Sequence, residues 1–373
     1  MTVVTGVPNH PTGVLYEGYE NRLFQRENLN GIEVIRVYVF LAPNKGFFGR
    51  TLNYVSFMVT SLLACVRLKR AHYDVVLATS PQFFNAVGGY LASRLKHCPF
   101  VFEVRDLWPQ SIVAVGALKS KRAIRLLERV EWFLYKKARH IVAAVEGIRT
   151  DLIRRGVPPE KISLVPNGVD LEVFRPRDQS AAIRQQYGLQ DRFVVSYIGT
   201  HGMAHALDKV LLAADRLRNE QIVFLFVGEG AEKEKLIRIK EEMRLEHVRF
   251  IGRQPRERIP FFVAASDACL VSLSSSDFFA YALPSKLLEP MACSRPVILS
   301  AKGASREFVE SARCGLVVEP EQPEALAEAI LTLYADRSLG EALGRRGRQF
   351  VAAHMDRTRF AVQYERILQQ VAG

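Results

Sequence analysis

Apolar runs alternate with helical periodicity along the whole chain. In the first half, β-branched runs predict strands at Thr2–Gly6, Glu33–Phe40, Val75–Thr79, Phe100–Val104, His140–Val145 and Ile162–Val165. Helical spacing between them predicts helices at Leu52–Arg70, Gln82–Lys96, Arg122–Ala138 and Gly147–Arg155. The second half restarts the pattern, with strands at Phe193–Ile198, Ile222–Val227, Val248–Ile251, Ala268–Leu273, Pro296–Leu299 and Leu316–Val318. Its helices fall at Leu207–Arg218, Glu232–Arg244, Ser305–Ala312 and Glu324–Tyr334, and Arg357–Val371 is amphipathic, with Phe360, Tyr364 and Ile367 on one face. Apolar strands separated by helices indicate parallel sheets covered on both faces. Between the halves, PNGVDLEVFRP (166–176) sets an Asn-Gly turn between prolines and reads as a linker. The predicted class is α/β: two facing Rossmann-like, doubly wound domains, 1–168 and 176–350, with a cleft between them.

Length and composition agree with this. A chain of 373 residues exceeds one typical core, and 49% hydrophobic with 24% charged residues is an ordinary globular balance. The cysteines at 65, 98, 269, 293 and 314 are scattered, with no metal-ligand spacing, which fits a reduced cytosolic compartment.

Charge changes the picture more. Residues 1–175 carry 24 Lys and Arg against 14 Asp and Glu, a net of +10; residues 176–373 carry 27 against 25, a net of +2. A basic half beside a near-neutral one predicts a polyanion met by the first half alone. No nucleic-acid motif accompanies the charge, so the expected partner is an anionic membrane face. The most apolar segment, Leu52–Val66, spans 15 residues, short of the roughly 20 that cross a bilayer. Lys45 and Arg50 precede it, and Arg67, Lys69 and Arg70 follow. Two readings stand, a buried helix on the sheet and an interfacial helix touching lipid. The opening TVVTGVPNHPTG has no secretory pattern.

The candidate chemistry centres on ALPSKLLEPMACSRPVILS (282–300), a turn, short helix and buried strand. Ser285 is predicted as an N-cap, with Lys286 and Glu289 in the turns that follow. A helix start favours an anion, Lys286 adds charge there, and Glu289 can accept hydrogen bonds from hydroxyls. The plainer reading is a capped helix with a surface Lys–Glu pair. Three further loops follow strands: IGTHGMAH (198–205), where Gly199 and Gly202 permit close backbone approach to a phosphate; GRQP (252–255), where Gly252 and Arg253 can meet a base or ribose; and GASRE (303–307). GEG at 228–230 lacks the third glycine of a dinucleotide fingerprint, and no Walker motif is present. In the first half, FEVRDLWPQS (102–111) places Arg105, Asp106 and Trp108 at a strand end, where doubly wound sheets keep their chemistry. An Arg–Asp pair closing a loop over a packed Trp108 is the structural alternative. Asn9 and His10 lie in the loop after the first strand.

These stretches, with VTGVPNHPTGVLYEGY, LAPNKGFF, ATSPQFF and LPSKLLEPMA, resemble the retaining glycosyltransferases of family four, which have the GT-B fold. The resemblance runs from about Thr2 to the C-terminus and is greatest to the bacterial N-acetyl-L-fucosaminyl transferase branch of O-antigen or capsule assembly. It implies a nucleotide-diphosphosugar donor, a UDP-sugar, on the second domain, a lipid-linked saccharide acceptor on the basic first domain, and no metal or other cofactor. It implies a peripheral place on the cytoplasmic face of the inner membrane. It also implies that helix 357–373 crosses back to the first domain. Glu289 matches the second Glu of the family's EX7E motif, which meets the ribose; the first would fall at Tyr281 and is absent. Thr200, His201, Ser285, Lys286 and Leu287 complete the implied donor set with Gly199, Gly202, Gly252 and Arg253. The family's basic residues of the diphosphate loop are replaced at Thr200 and Ala206, leaving Lys286, His201 and helix dipoles to supply positive field. Arg105 and Asp106 match the position where relatives carry His-Asp, so the implied catalytic residues are Arg105, Asp106 and Lys286, with Asn9, His10 and Trp108 towards the acceptor. A sugar-nucleotide epimerase and a non-catalytic sugar-nucleotide binder are the alternatives of the same architecture. The family begins with a strand, a Gly-rich loop and a helix ahead of this VVTG strand, so about 40 further residues are expected, and without them unpaired strand edges.

Overall fold

The strands expected from the apolar runs are all present, with their ends shifted by at most a few residues. The computed structural model describes residues 1–9, 13–42, 47–68, 72–80, 83–110, 113, 118, 120–177, 180–276, 279 and 283–373. The chain divides into two units, Met1–Pro166 with Val362–Gly373, and Asn167–Ala361.

The first unit runs β1 (Thr2–Gly6), β2 (Phe24–Leu29), β3 (Ile32–Val37), α1 (Phe47–Arg67), β4 (Val76–Thr79), α2 (Phe83–Lys96), β5 (Phe100–Val104), α3 (Lys121–Lys137), β6 (His140–Ala143), α4 (Glu146–Arg154) and β7 (Ile162–Leu164). Strand β2 escaped the sequence reading. It forms a hairpin with β3 through Asn30 and Gly31, whose φ values of 54° and 85° suit the two-residue turn that Asn-Gly favours. The strands fall into two sheets, ordered β1-β3-β2 and β4-β5-β6-β7. Among the described residues β1 pairs only with β3 and β4 only with β5, so each keeps one edge without a strand partner. Every residue of β1 is partly exposed.

Helix α1 is buried along one face, as the first expectation for its segment has it, and exposes an apolar stripe on another. Thr60 and Ala64 are buried, and Thr60 donates to the Tyr38 and Ser56 carbonyls (2.8 Å each). Leu52, Val59, Leu63 and Val66 form an outward stripe, with Leu63 57% exposed. Among the described residues no helix is long and apolar enough to cross a membrane.

The second unit runs α5 (Ala181–Gln186), β8 (Phe193–Ile198), α6 (Leu207–Arg216), β9 (Ile222–Val227), α7 (Lys233–Glu242), β10 (Val248–Ile251), α8 (Ile259–Ala265), β11 (Ala268–Ser272), α9 (Ser285–Ala292), β12 (Val297–Ser300), α10 (Ala304–Ala312), β13 (Gly315–Val318), α11 (Pro323–Ala335), α12 (Arg337–His354) and α13 (Arg357–Ala372). Its sheet is continuous and parallel, ordered β10-β9-β8-β11-β12-β13. Helix α12, absent from the sequence reading, is capped by Asp336, whose carboxylate accepts from the Leu339 amide. Helix α13 begins in the second unit and ends in the first.

Candidate donor site of the second unit

The chain builds β8, β9 and β10 outward in one direction, then starts again beside β8 with β11, β12 and β13. The carboxyl ends of β8 and β11 therefore flank the point where strand order reverses, the usual ligand crevice of such sheets. Gly199–Gly202 leaves β8, Gly228–Gly230 leaves β9, Gly252 leaves β10, and Pro284 leads into α9 after β11. All lie on the carboxyl edge. Gly199 (φ 151°) and Gly228 (φ 142°) adopt backbone that favours glycine, and a Cβ on Gly228 would stand 2.0 Å from the Gly199 carbonyl oxygen. The GEG stretch thus lets two loops lie backbone to backbone.

Lys286 reaches into this crevice. Its Nζ donates to the Tyr197 hydroxyl (2.8 Å) and lies 4.6 Å from the Tyr197 ring centre. The Tyr197 hydroxyl in turn donates to the Thr200 carbonyl (2.8 Å). His205 stands alongside. With its Nδ1–H donating to the Ser272 carbonyl (3.1 Å), Nε2 is left to accept from Lys286 at 3.3 Å. No carboxylate pairs with Lys286 among the described residues, whereas nearby Lys233 has Glu229 at 2.6 Å. Burial pushes the Lys286 amine down to about 7. Burial also pushes His205 down to about 4, with Lys286 adding to the shift. Lys286 and Glu289 form no ion pair, so the plain surface-pair reading of this helix fails.

Glu289 is half-buried one turn on. Burial raises its carboxyl, and Arg256 and Arg357 pull it back. Pro290 inside α9 leaves the Lys286 carbonyl without its i+4 donor, and Ser294, just past the helix end, takes a left-handed conformation (φ 57°) that glycine adopts more readily.

Three expectations need correcting. Ser285 does not cap α9: Pro284 is the N-cap, with φ −69° and ψ 138°, its carbonyl accepting from the Leu287 amide (2.9 Å). Proline is already fixed near the φ such an extended position needs, and Ser285 becomes the exposed first helical residue. Leu287 turns its side chain into the core and has its amide engaged, leaving it nothing for a ligand. His201 supplies no positive field. It is fully buried against Tyr197, Phe226 and Phe250, both ring nitrogens lack a partner among the described residues, and burial pushes it down to about 4, so it is neutral at pH 7. The sequence reading in turn missed Tyr197 and His205. Their signal was a lone phenol ending an apolar strand, VVSYI, and a second histidine closing the loop after it.

Elsewhere, Thr200 and Arg253 are exposed, and Gly202 is partly exposed at φ −124°. In the first unit, the Ser80 Oγ accepts from the Arg105 amide (2.9 Å) and the Asp106 amide (3.3 Å), which fixes the turn after β5. Trp108 stacks on Phe83 with ring centres 4.4 Å apart, so packing accounts for its position. Asn9 donates to the Val7 carbonyl (2.8 Å). His10 and Tyr281 lie outside the described residues, as do Lys45, Lys69 and Arg70.

The chain has extensive likeness to known proteins. The family model described as "Glycosyl transferases group 1" matches residues 179–350, and that described as "Glycosyltransferase Family 4" matches residues 9–173. The chain is 26% identical over 341 residues to the Escherichia coli protein WcaI, named for colanic acid biosynthesis glycosyl transfer, covering 88% of this chain and 82% of that one. Among solved structures, sucrose-phosphate synthase of Thermosynechococcus elongatus aligns with a TM-score of 0.76 at 21% identity, covering 98% of this chain and 88% of its own. Anabaena HepE, solved with UDP-glucose, aligns with a TM-score of 0.71 at 19% identity, covering 91% and 86%. These structures share the fold, two Rossmann-like parallel-sheet units.

Proposed function

The chain belongs to the glycosyltransferases of group 1 and family 4, and we propose that it moves a sugar from a nucleotide-diphosphosugar to a lipid-linked saccharide in cell-surface polysaccharide assembly. The observation that carries this is Lys286, a largely desolvated amine at the strand-order reversal with two neutral partners and, among the described residues, no carboxylate. A buried charge without a counter-ion is costly, and an arriving anion relieves it. A diphosphate fits: Lys286 meets the charge that grows on the leaving group as the glycosidic bond breaks. Charge stabilisation of that kind acts most in the transition state. Glu289, on the same helix, accepts hydroxyl donors of the ribose.

The UDP-glucose complex of HepE and the naming of WcaI for colanic acid support a UDP-linked donor and a polysaccharide acceptor. The finer reading is transfer with retention, without metal, of an N-acetylated deoxyhexosamine as in the fucosaminyl branch. Arg105 and Asp106 then lie on the acceptor-binding unit. The basic first unit, with the apolar stripe of α1 outward, docks on the cytoplasmic face of the inner membrane, where lipid-linked saccharides are presented. A thermal-shift screen of UDP- and GDP-sugars tests the donor. At a concentration of 100 Kd a true donor stabilises by about 2.7 kcal/mol. The reading falls if no nucleotide sugar raises Tm, or if Lys286→Ala responds as the parent does.

A further inference from the structure

Strands β5, β6 and β7 run parallel, so one edge of their sheet holds all the carboxyl ends and the other all the amino ends. Arg105 and Asp106 follow the carboxyl end of β5. At the opposite edge, about 13 Å away along β5, an open cavity of about 800 Å³ lies against Phe100 and His140, the first residues of β5 and β6. Nothing in the proposed transfer uses it.

Its lining is strongly basic. Arg94 lies in the last turn of α2, Lys136 and Lys137 end α3, Arg139 precedes β6, and Lys161 precedes β7. Glu160 is the lining's single carboxylate. Helix ends explain part of this charge. Each carboxyl end carries about half a negative charge, and basic residues there are ordinary. But Lys161 already caps α3, donating to the carbonyls of Tyr135 (2.8 Å) and Lys136 (2.9 Å). Two helix ends and Glu160 offset roughly two of the five positive charges, leaving a surplus of about three. None of the five cations forms an ion pair among the described residues. The surplus is felt locally: His140, bonded to the Ser163 hydroxyl at 2.9 Å, is pushed below its ordinary value by burial and then by Lys161 and Arg139. The cavity is also roofed by Ile367 and Val371 of α13.

We propose that this cavity is a second anion site, which takes a phosphate-bearing ligand and thereby holds the last turns of α13 on the first unit. The volume exceeds a bare phosphate and suits a phosphate ester or diphosphate, whether free in solution or on a phospholipid headgroup. Arg94, Lys137 and Arg139 supply the charge-assisted bonds.

Cys98 lines the same cavity and reports on it. Alkylation of Cys98 in the full chain, followed by mass spectrometry, is measured with inorganic pyrophosphate and with vesicles of phosphatidylglycerol in phosphatidylcholine. We expect at least one probe to slow alkylation about fivefold, and the protection to fade as salt rises. Protection by pyrophosphate points to a soluble ligand; protection by vesicles alone points to a headgroup. Lys136→Glu with Arg139→Glu removes the protection, while Lys286→Gln, in the other unit, keeps it. Should the double variant not fold, Arg94→Gln alone reduces protection. Failure of both probes to protect Cys98, or equal protection in the charge variants and the parent, overturns the proposal.

Discussion

The second unit holds a desolvated lysine without a carboxylate partner, among the described residues, beside a continuous six-stranded sheet, while the first divides its strands between two sheets and pairs its buried Glu131 and Asp151 with Arg155. Residues 176–373 are nearly neutral, yet they hold the most perturbed lysine of the described residues; residues 1–175 carry a net +10 spread over partly exposed positions. The two arrangements do different physical work. A buried amine is worth much to one anion in one position, and its proton is tuned by burial. Dispersed surface charge attracts any polyanion weakly and is screened within about 8 Å at physiological salt. Specific recognition of the donor's diphosphate therefore belongs to the second unit, and the dispersed charge of the first supplies general attraction.

The widest contrast is expected in hydrogen exchange. Strand β9 is paired on both sides, by β8 and β10, and is buried throughout. Its amides should exchange at least ~10³-fold more slowly than β1 amides facing away from β3, since protection ranges from nearly none at free edges to the global stability in core strands. Equal protection would show that the open edge of β1 is covered. Next, Lys286→Ala should lower kcat about 10²–10³-fold beyond its loss of donor affinity, as expected for lost transition-state charge stabilisation. Parent-like kinetics would remove the lysine from the chemistry. Glu289→Ala should weaken donor binding by about 1–3 kcal/mol, a loss of roughly 5- to 150-fold measurable by calorimetry. Smallest, Val59→Ser with Leu63→Ser should cut partition to anionic vesicles about tenfold and leave donor affinity intact, because both side chains face outward. Unchanged partition would take α1 off the membrane-facing surface.

The two units were also unequally legible in the sequence. The strands of the second unit are mostly apolar, and such runs identify themselves; Ile222–Val227 has the same limits in sequence and structure. The hairpin strand β2, FQRENL, carries four polar residues in six and no clean alternation, so only the Asn-Gly after it announced the turn. Lys286 could be singled out as a cation at a helix start, but its consequence could not. Whether it pairs with Glu289 or turns to Tyr197 and His205 depends on β8 and β11 lying side by side, a contact 89 residues away in sequence for Tyr197. His201 shows the reverse. Its type and loop suggested positive charge, and only burial against Phe226 and Phe250 reveals a neutral ring. Ser285 has the residue type of a cap, but the proline ahead of it takes the position.

The central claim is that Lys286 receives the donor's diphosphate, and the pH dependence of donor affinity tests it most directly. Burial holds the free-state amine at about 7 rather than 10.5, and a bound diphosphate favours the protonated form. The lysine is charged below pH 7, so affinity is full there and falls as pH rises through that value. Calorimetry of a stabilising nucleotide sugar from pH 6 to 9 should show Kd rising towards tenfold per pH unit above 7, with one proton taken up on binding. In Lys286→Gln the dependence should vanish along with most of the affinity. A Kd that is flat from pH 6 to 9 in the parent, or equally steep in Lys286→Gln, would contradict the account.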